Sequence, residues 1–210
     1  MIYSPDHKFL LIKNAKVGGT SVEVELSKVL PDNAIVTDIV PSNPEHRPRN
    51  NYNFYNHIPL SEVMNYLDLS GVKSYVIVRN PYDIVLSHFF HNVYDMGLDW
   101  NKLKKIEQTS LLHRYFNNDD DLSMLRSTKN LYLSDDNEIM VNDFIRYENG
   151  LKSELNPILE SHGIKQFSLN TFEKAYRPSK LKPKDVFLDN HFYEIQKEWA
   201  WEFENLRYNI

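Results

Sequence analysis

Apolar residues in this chain fall into short runs divided by polar turns, and the runs alternate between strand-like and helix-like spacing. Phe9-Leu10-Leu11-Ile12 predicts a buried strand that breaks at Asn14, just before a Gly-Gly pair. After Thr20 the spacing of Val22, Val24, Leu26, Val29 and Leu30 suits a helix, which Pro31 stops. Residues 34–40 read as a second strand, and residues 41–56, rich in Pro, Asn and Arg, as a loop. Pro59, followed by Ser61 and Glu62, opens a helix over 59–69. Ser74-Tyr75-Val76-Ile77-Val78 is the strongest strand signal. It ends at Arg79-Asn80-Pro81, before a helix over 81–94 with Ile84, Val85, Phe89 and Val93 as its apolar stripe. A polar, mostly helical stretch covers 99–130. A strand over 139–147 follows, then a helix to His162 closed by Gly163, a basic loop over 177–184 and a last helix over 190–206.

Strands alternating with helices predict an α/β fold: a three-layer sandwich with a central parallel sheet, forming a single domain over 1–210. In such sheets ligands sit beyond the carboxyl ends of the strands, where the turns over 14–21 and 79–87 lie. Composition narrows the classes. The 41% hydrophobic and 25% charged shares are ordinary for a globular protein. Aromatics reach 13%, a surplus that reads as core more readily than as a stacking cleft. Cysteine is absent, which excludes disulfides, thiolate metal sites and a Cys nucleophile. The N-terminal residues carry no signal-peptide pattern, and no apolar run approaches the ~20 residues of a membrane span. The expected location is therefore a cytoplasm. A net charge of -5 argues against general nucleic-acid binding.

The first turn has the chemistry of a phosphate cradle. Gly18 and Gly19 let backbone approach an anion, the helix start aims N–H groups at it, Thr20 and Ser21 add hydroxyls, and Lys16 adds a positive charge. In the nucleotide-hydrolase loop the Lys follows the last glycine; in Lys16-Val17-Gly18-Gly19 it precedes the pair. A standard triphosphatase is disfavoured by that order. In the second turn, Arg79 at a strand end and Ser87 eight residues on are a pair able to grip one phosphate. A structural turn accounts for either segment alone; both together, at matching strand ends, are much less expected by chance.

These segments resemble the sulfotransferase family. Lys16-Val17-Gly18-Gly19-Thr20-Ser21 is similar to its 5′-phosphosulfate loop, and Arg79-Asn80-Pro81 with Ser87 to its 3′-phosphate motif. The likeness is nearest to the carbohydrate branch that holds the heparan 2-O-sulfotransferase group and its bacterial relatives. His57 stands where that branch carries a catalytic His, and Asp143-Phe144-Ile145-Arg146-Tyr147-Glu148-Asn149 resembles its Arg-aromatic-Glu-Asn strand end. The Lys-rich loop and Phe203-Glu204-Asn205-Leu206-Arg207-Tyr208 resemble its carboxyl terminus. Asn14-Ala15 stands where many members have Pro directly before the Lys.

The resemblance implies a donor, 3′-phosphoadenosine 5′-phosphosulfate, whose product is adenosine 3′,5′-bisphosphate, and an acceptor hydroxyl, expected on a carbohydrate. It implies that Lys16 neutralises the bridging oxygen, that backbone from Val17 to Ser21 holds the 5′ phosphate, and that Arg79 and Ser87 hold the 3′ phosphate. No metal is required. His57 is the candidate base, with Glu62 in reserve; an imidazole with an ordinary pKa near ~6.5 suits proton removal at neutral pH. Arg177 and Lys180 of the basic loop are further candidates for the donor, with a solvated loop as the plainer alternative. Two other functions stand beside the sulfotransferase: a nucleoside or sugar kinase, and a non-catalytic nucleotide- or glycan-binding module.

Overall fold

A computed structural model of the chain describes residues 1–117, 126–165, 167–169, 177–178 and 181–209. They form two compact units, Met1–Arg79 with Thr128–Glu173, and Asn80–Ser127 with Lys174–Ile210.

The first unit is built on a five-stranded mixed sheet. β1 (Ile2–Ser4) and β2 (Phe9–Ile12) form a hairpin that pairs Ile2 with Leu11 and Ser4 with Phe9. β3 (Ile35–Val36) lies antiparallel on the other side of β1. β4 (Lys73–Val78) runs parallel to β2, and β5 (Asp143–Arg146) parallel to β4, giving the order β3-β1-β2-β4-β5. The expected all-parallel sheet is thus corrected to a mixed one. The physical reason is the short turn at Pro5–Lys8, closed by the Lys8 amide donating to the Pro5 carbonyl at 3.0 Å. A turn that short joins only antiparallel strands. Every residue of β2 is buried, as its unbroken apolar run requires of a strand with neighbours on both sides.

Helix α1 (Gly19–Val29) follows β2 as its apolar spacing predicts. The expected strand over 34–40 shrinks to β3. Just past it, Thr37 turns its hydroxyl inward to donate to Glu23 Oε1 at 2.7 Å. The expected helix over 59–69 holds its regular form only over α2 (Leu60–Val63). The second unit begins with α3 (Pro81–Asp95), where Pro81 takes the first position and the Asn80 side chain caps the Tyr82 amide at 2.9 Å. It continues with α4 (Lys105–Asn117). Back in the first unit, α5 (Leu151–Ser161) follows β5.

The expected last helix is divided into α7 (Asp189–Glu198) and α8 (Ala200–Asn205), after a short α6 (Pro183–Val186). The break falls at Trp199, which is 1% exposed and leaves helical backbone geometry. Much of the aromatic surplus is core in this unit. Phe89 meets Phe90, Trp100 and Tyr115 edge to face, and His191 stacks on Phe116 with centroids 4.0 Å apart. No helix among the described residues is long and apolar enough to cross a membrane.

Candidate functional site

The order β3-β1-β2-β4-β5 sends the chain leaving β2 towards β3 on one side and the chain leaving β4 towards β5 on the other. Two parallel neighbours whose connections diverge leave a crevice at their carboxyl ends, the usual ligand position in such sheets. The turn after β2 opens at this point, and Arg79 stands at the end of β4.

The turn after β2 is tightly determined. The Asn14 side chain accepts the Ala15 amide at 2.6 Å, and Lys16 takes a left-handed backbone at φ 56°. Gly18 caps α1 with φ 75°, where no side chain closes the helix start and no acidic residue occupies its first turn. A Cβ on Gly18 would lie 2.9 Å from Leu151 Cδ1, and one on Gly19 only 2.4 Å from Lys13 Cγ. The glycines thus have packing reasons of their own. They also stand at the start of an 11-residue helix, the end that carries the partial positive charge of the helix dipole.

Arg79, at the end of β4, donates from Nη1 to the Lys16 carbonyl at 2.8 Å. Its guanidinium lies over the Tyr147 ring, 4.2 Å from the centroid, at the start of the 3-10 turn that leaves β5. The ends of the three parallel strands are therefore joined by one cation, through the Lys16 backbone carbonyl and the Tyr147 ring.

Beneath the turn lies an ionic cluster that the sequence reading did not single out. Lys13, 4% exposed, pairs with Glu23 Oε2, and the Met1 ammonium meets Glu23 Oε1 at 3.0 Å. Burial pushes the Glu23 carboxyl up. The Met1 and Lys13 ammonium groups and the Lys13 and Thr37 hydrogen bonds outweigh it, and hold the carboxyl below its ordinary value. The signal available in the sequence was a Lys directly after a four-residue apolar run and a Glu between two buried valines.

His57 reaches the same segment from its own loop. With φ 61°, it bonds through Nδ1 to the Lys13 carbonyl at 2.7 Å. A carbonyl only accepts, so Nδ1 carries the proton and Nε2 keeps its lone pair. Burial, reinforced by the Lys13 ammonium, pushes the imidazole down to about 4 despite that bond. His57 is therefore neutral at pH 7, and a weaker base than the ordinary imidazole expected from the sequence, because burial disfavours its charged form. Glu62, the reserve base, accepts the Tyr55 hydroxyl at 2.6 Å on Oε2.

The remaining candidates belong to the second unit. Ser87 sits half-buried on α3. Arg177 is engaged by Asp83 in the first turn of α3 through Nη1, and donates from Nε to the Leu181 carbonyl at 2.9 Å. Lys180 lies outside the described residues. No group of three or more His, Asp or Glu among the described residues is arranged to hold a metal ion. A scan against protein-family models and a search of curated proteins each find nothing that matches this chain.

Proposed function

We propose that this chain is a sulfotransferase that moves a sulfuryl group from 3′-phosphoadenosine 5′-phosphosulfate to a carbohydrate hydroxyl. One observation carries the reading: at the β2–β4 divergence a helix start, Lys16 and Arg79 meet, with Arg79 bonded to the Lys16 carbonyl. In this reading the strand-turn-helix edge takes two phosphate groups, one at the α1 amides and one at Arg79.

In this reading the acceptor oxygen forms a bond to sulfur while the bond from sulfur to the bridging oxygen breaks. The electron pair leaves on the nucleotide phosphate, where Lys16 neutralises it. The acceptor proton passes to Nε2 of His57, which the Lys13 carbonyl keeps in the accepting tautomer. Positioning and charge neutralisation are the main demands of such a transfer, as in phosphoryl chemistry. The resemblance gives Ser87 a share in the 3′ phosphate.

Calorimetry with adenosine 3′,5′-bisphosphate and with ATP tests the donor site. The bisphosphate is expected to bind tighter, and tighter ATP binding defeats the proposal in favour of a kinase. Transfer of labelled sulfate by wild type, Lys16→Ala and His57→Ala tests the chemistry. Both variants are expected to lose at least about 100-fold in rate, the usual scale for a positioned acid, base or charge. Bisphosphate binding without transfer to any carbohydrate acceptor marks a binding module instead.

A further inference from the structure

The loop that delivers His57 carries a second feature that the donor site does not use. Residues 50–72 contain five Asn and four residues among Tyr and Phe, with no Lys or Arg at all; their only charges are Glu62 and Asp68. Tyr52 stacks on Phe54, with centroids 5.3 Å apart and planes 10° apart, and Phe54 meets Tyr66 edge to face at 5.7 Å. Phe54 is buried, whereas Tyr52 is 47% and Tyr66 60% exposed. A ring stacked on one face yet half exposed presents its other face to solvent.

The platform is held in place before any ligand arrives. The Asn50 side chain clamps the loop twice, donating from Nδ2 to the Phe54 carbonyl at 2.6 Å and accepting the Phe54 amide at 3.0 Å. Asn53 and His57 both hold left-handed backbone geometry, at φ 56° and 61°. Strained residues in a clamped loop are typical of binding segments.

We propose that the Tyr52–Phe54–Tyr66 platform is the acceptor subsite, and that it takes an uncharged glycan. Open tyrosine faces bind the apolar face of a pyranose, and amide side chains match its hydroxyls. A sulfated or uronic-acid polymer needs cations, and this segment offers two carboxylates instead. The assignment rests on the sulfotransferase reading for its catalytic meaning, but not for the binding itself.

Affinity electrophoresis of the full chain through gels holding a neutral polymer (β-glucan, xylan, galactomannan or glycol chitin) or heparin tests it. Retardation by at least one neutral polymer is expected. It should fall at least fivefold in Tyr52→Ala and Tyr66→Ala, with heparin giving none. Retardation by heparin alone, equal retardation of the variants, or none in any gel overturns the subsite. Adenosine 3′,5′-bisphosphate affinity, measured on the same samples, is expected to be unchanged by the tyrosine substitutions and reports their folding. Glycan retardation without nucleotide binding leaves the platform standing and removes the sulfotransferase; the reverse removes only the platform.

Discussion

His57 is the residue whose protonation is most open to measurement. In the unfolded chain its imidazole takes up a proton near ~6.5, while in the fold burial holds it down to about 4. Between those values the unfolded chain binds more protons than the folded one, so stability rises with pH across the window. The contribution is present above ~6.5 and is lost as pH falls towards 4, up to about 3 kcal/mol. Urea midpoints at pH 7 and pH 5 should therefore differ less in His57→Gln than in wild type. A histidine NMR titration should place the His57 midpoint near 4; a midpoint at the ordinary value contradicts the buried, Lys13-bonded arrangement. Lys13 itself is structural. Replacing it by Met leaves Glu23 buried with the Met1 ammonium and Thr37 only, and should cost about 3 kcal/mol in chemical denaturation. Lys13→Met combined with Glu23→Gln should recover part of that loss, because the uncompensated charge is gone.

At the scale of elements, the turn between β2 and α1 binds three parts of the first unit together. The Lys13 stem packs against Gly19, its carbonyl orients His57, and Gly18 touches Leu151 and Tyr147. Gly18→Ala therefore meets both a positive φ and a 2.9 Å contact with Leu151 Cδ1. It should lose about 2–3 kcal/mol in thermal or urea unfolding, as a side chain forced into left-handed geometry does. Adding Leu151→Ala removes the clash but not the φ, so only part of the loss should return. Elements with a strong period were readable from the sequence: β2, α1, β4 and α3 lie where the apolar spacing puts them. β1 was not, because three residues are too few to show alternation, and it makes the sheet mixed. The break at Trp199 was equally hidden, since a bulky apolar residue continues a helical stripe in sequence whether or not the backbone does. At the candidate site, Lys16 in the turn after β2 and Arg79 at the end of β4 were legible in their places. The Lys13–Glu23 pair and the Tyr147 ring were not, because their roles exist only once three strand ends share one edge.

For the whole molecule the proposed donor supplies a measurement that local substitutions cannot. The chain carries 24 basic against 29 acidic residues, so tight binding of a multiply charged anion has to come from a local concentration of positive groups. The proposal puts that concentration at the α1 start, Lys16 and Arg79. A ligand that binds only the folded chain stabilises it by RT ln(1 + [L]/Kd), about 2.7 kcal/mol at a hundredfold excess over Kd. In a protein of this size each kcal/mol moves the melting midpoint by about 2–4 °C. Adenosine 3′,5′-bisphosphate at that excess should therefore raise the Tm by about 5–10 °C. ATP at the same concentration should raise it less, because it lacks the 3′ phosphate that Arg79 is proposed to hold. Arg79→Ala is the decisive variant. It should erase the difference between the two nucleotides while leaving the glycan retardation of the tyrosine platform in place. A difference that survives in Arg79→Ala assigns the 3′ phosphate to other residues, with Ser87→Ala the next variant to measure.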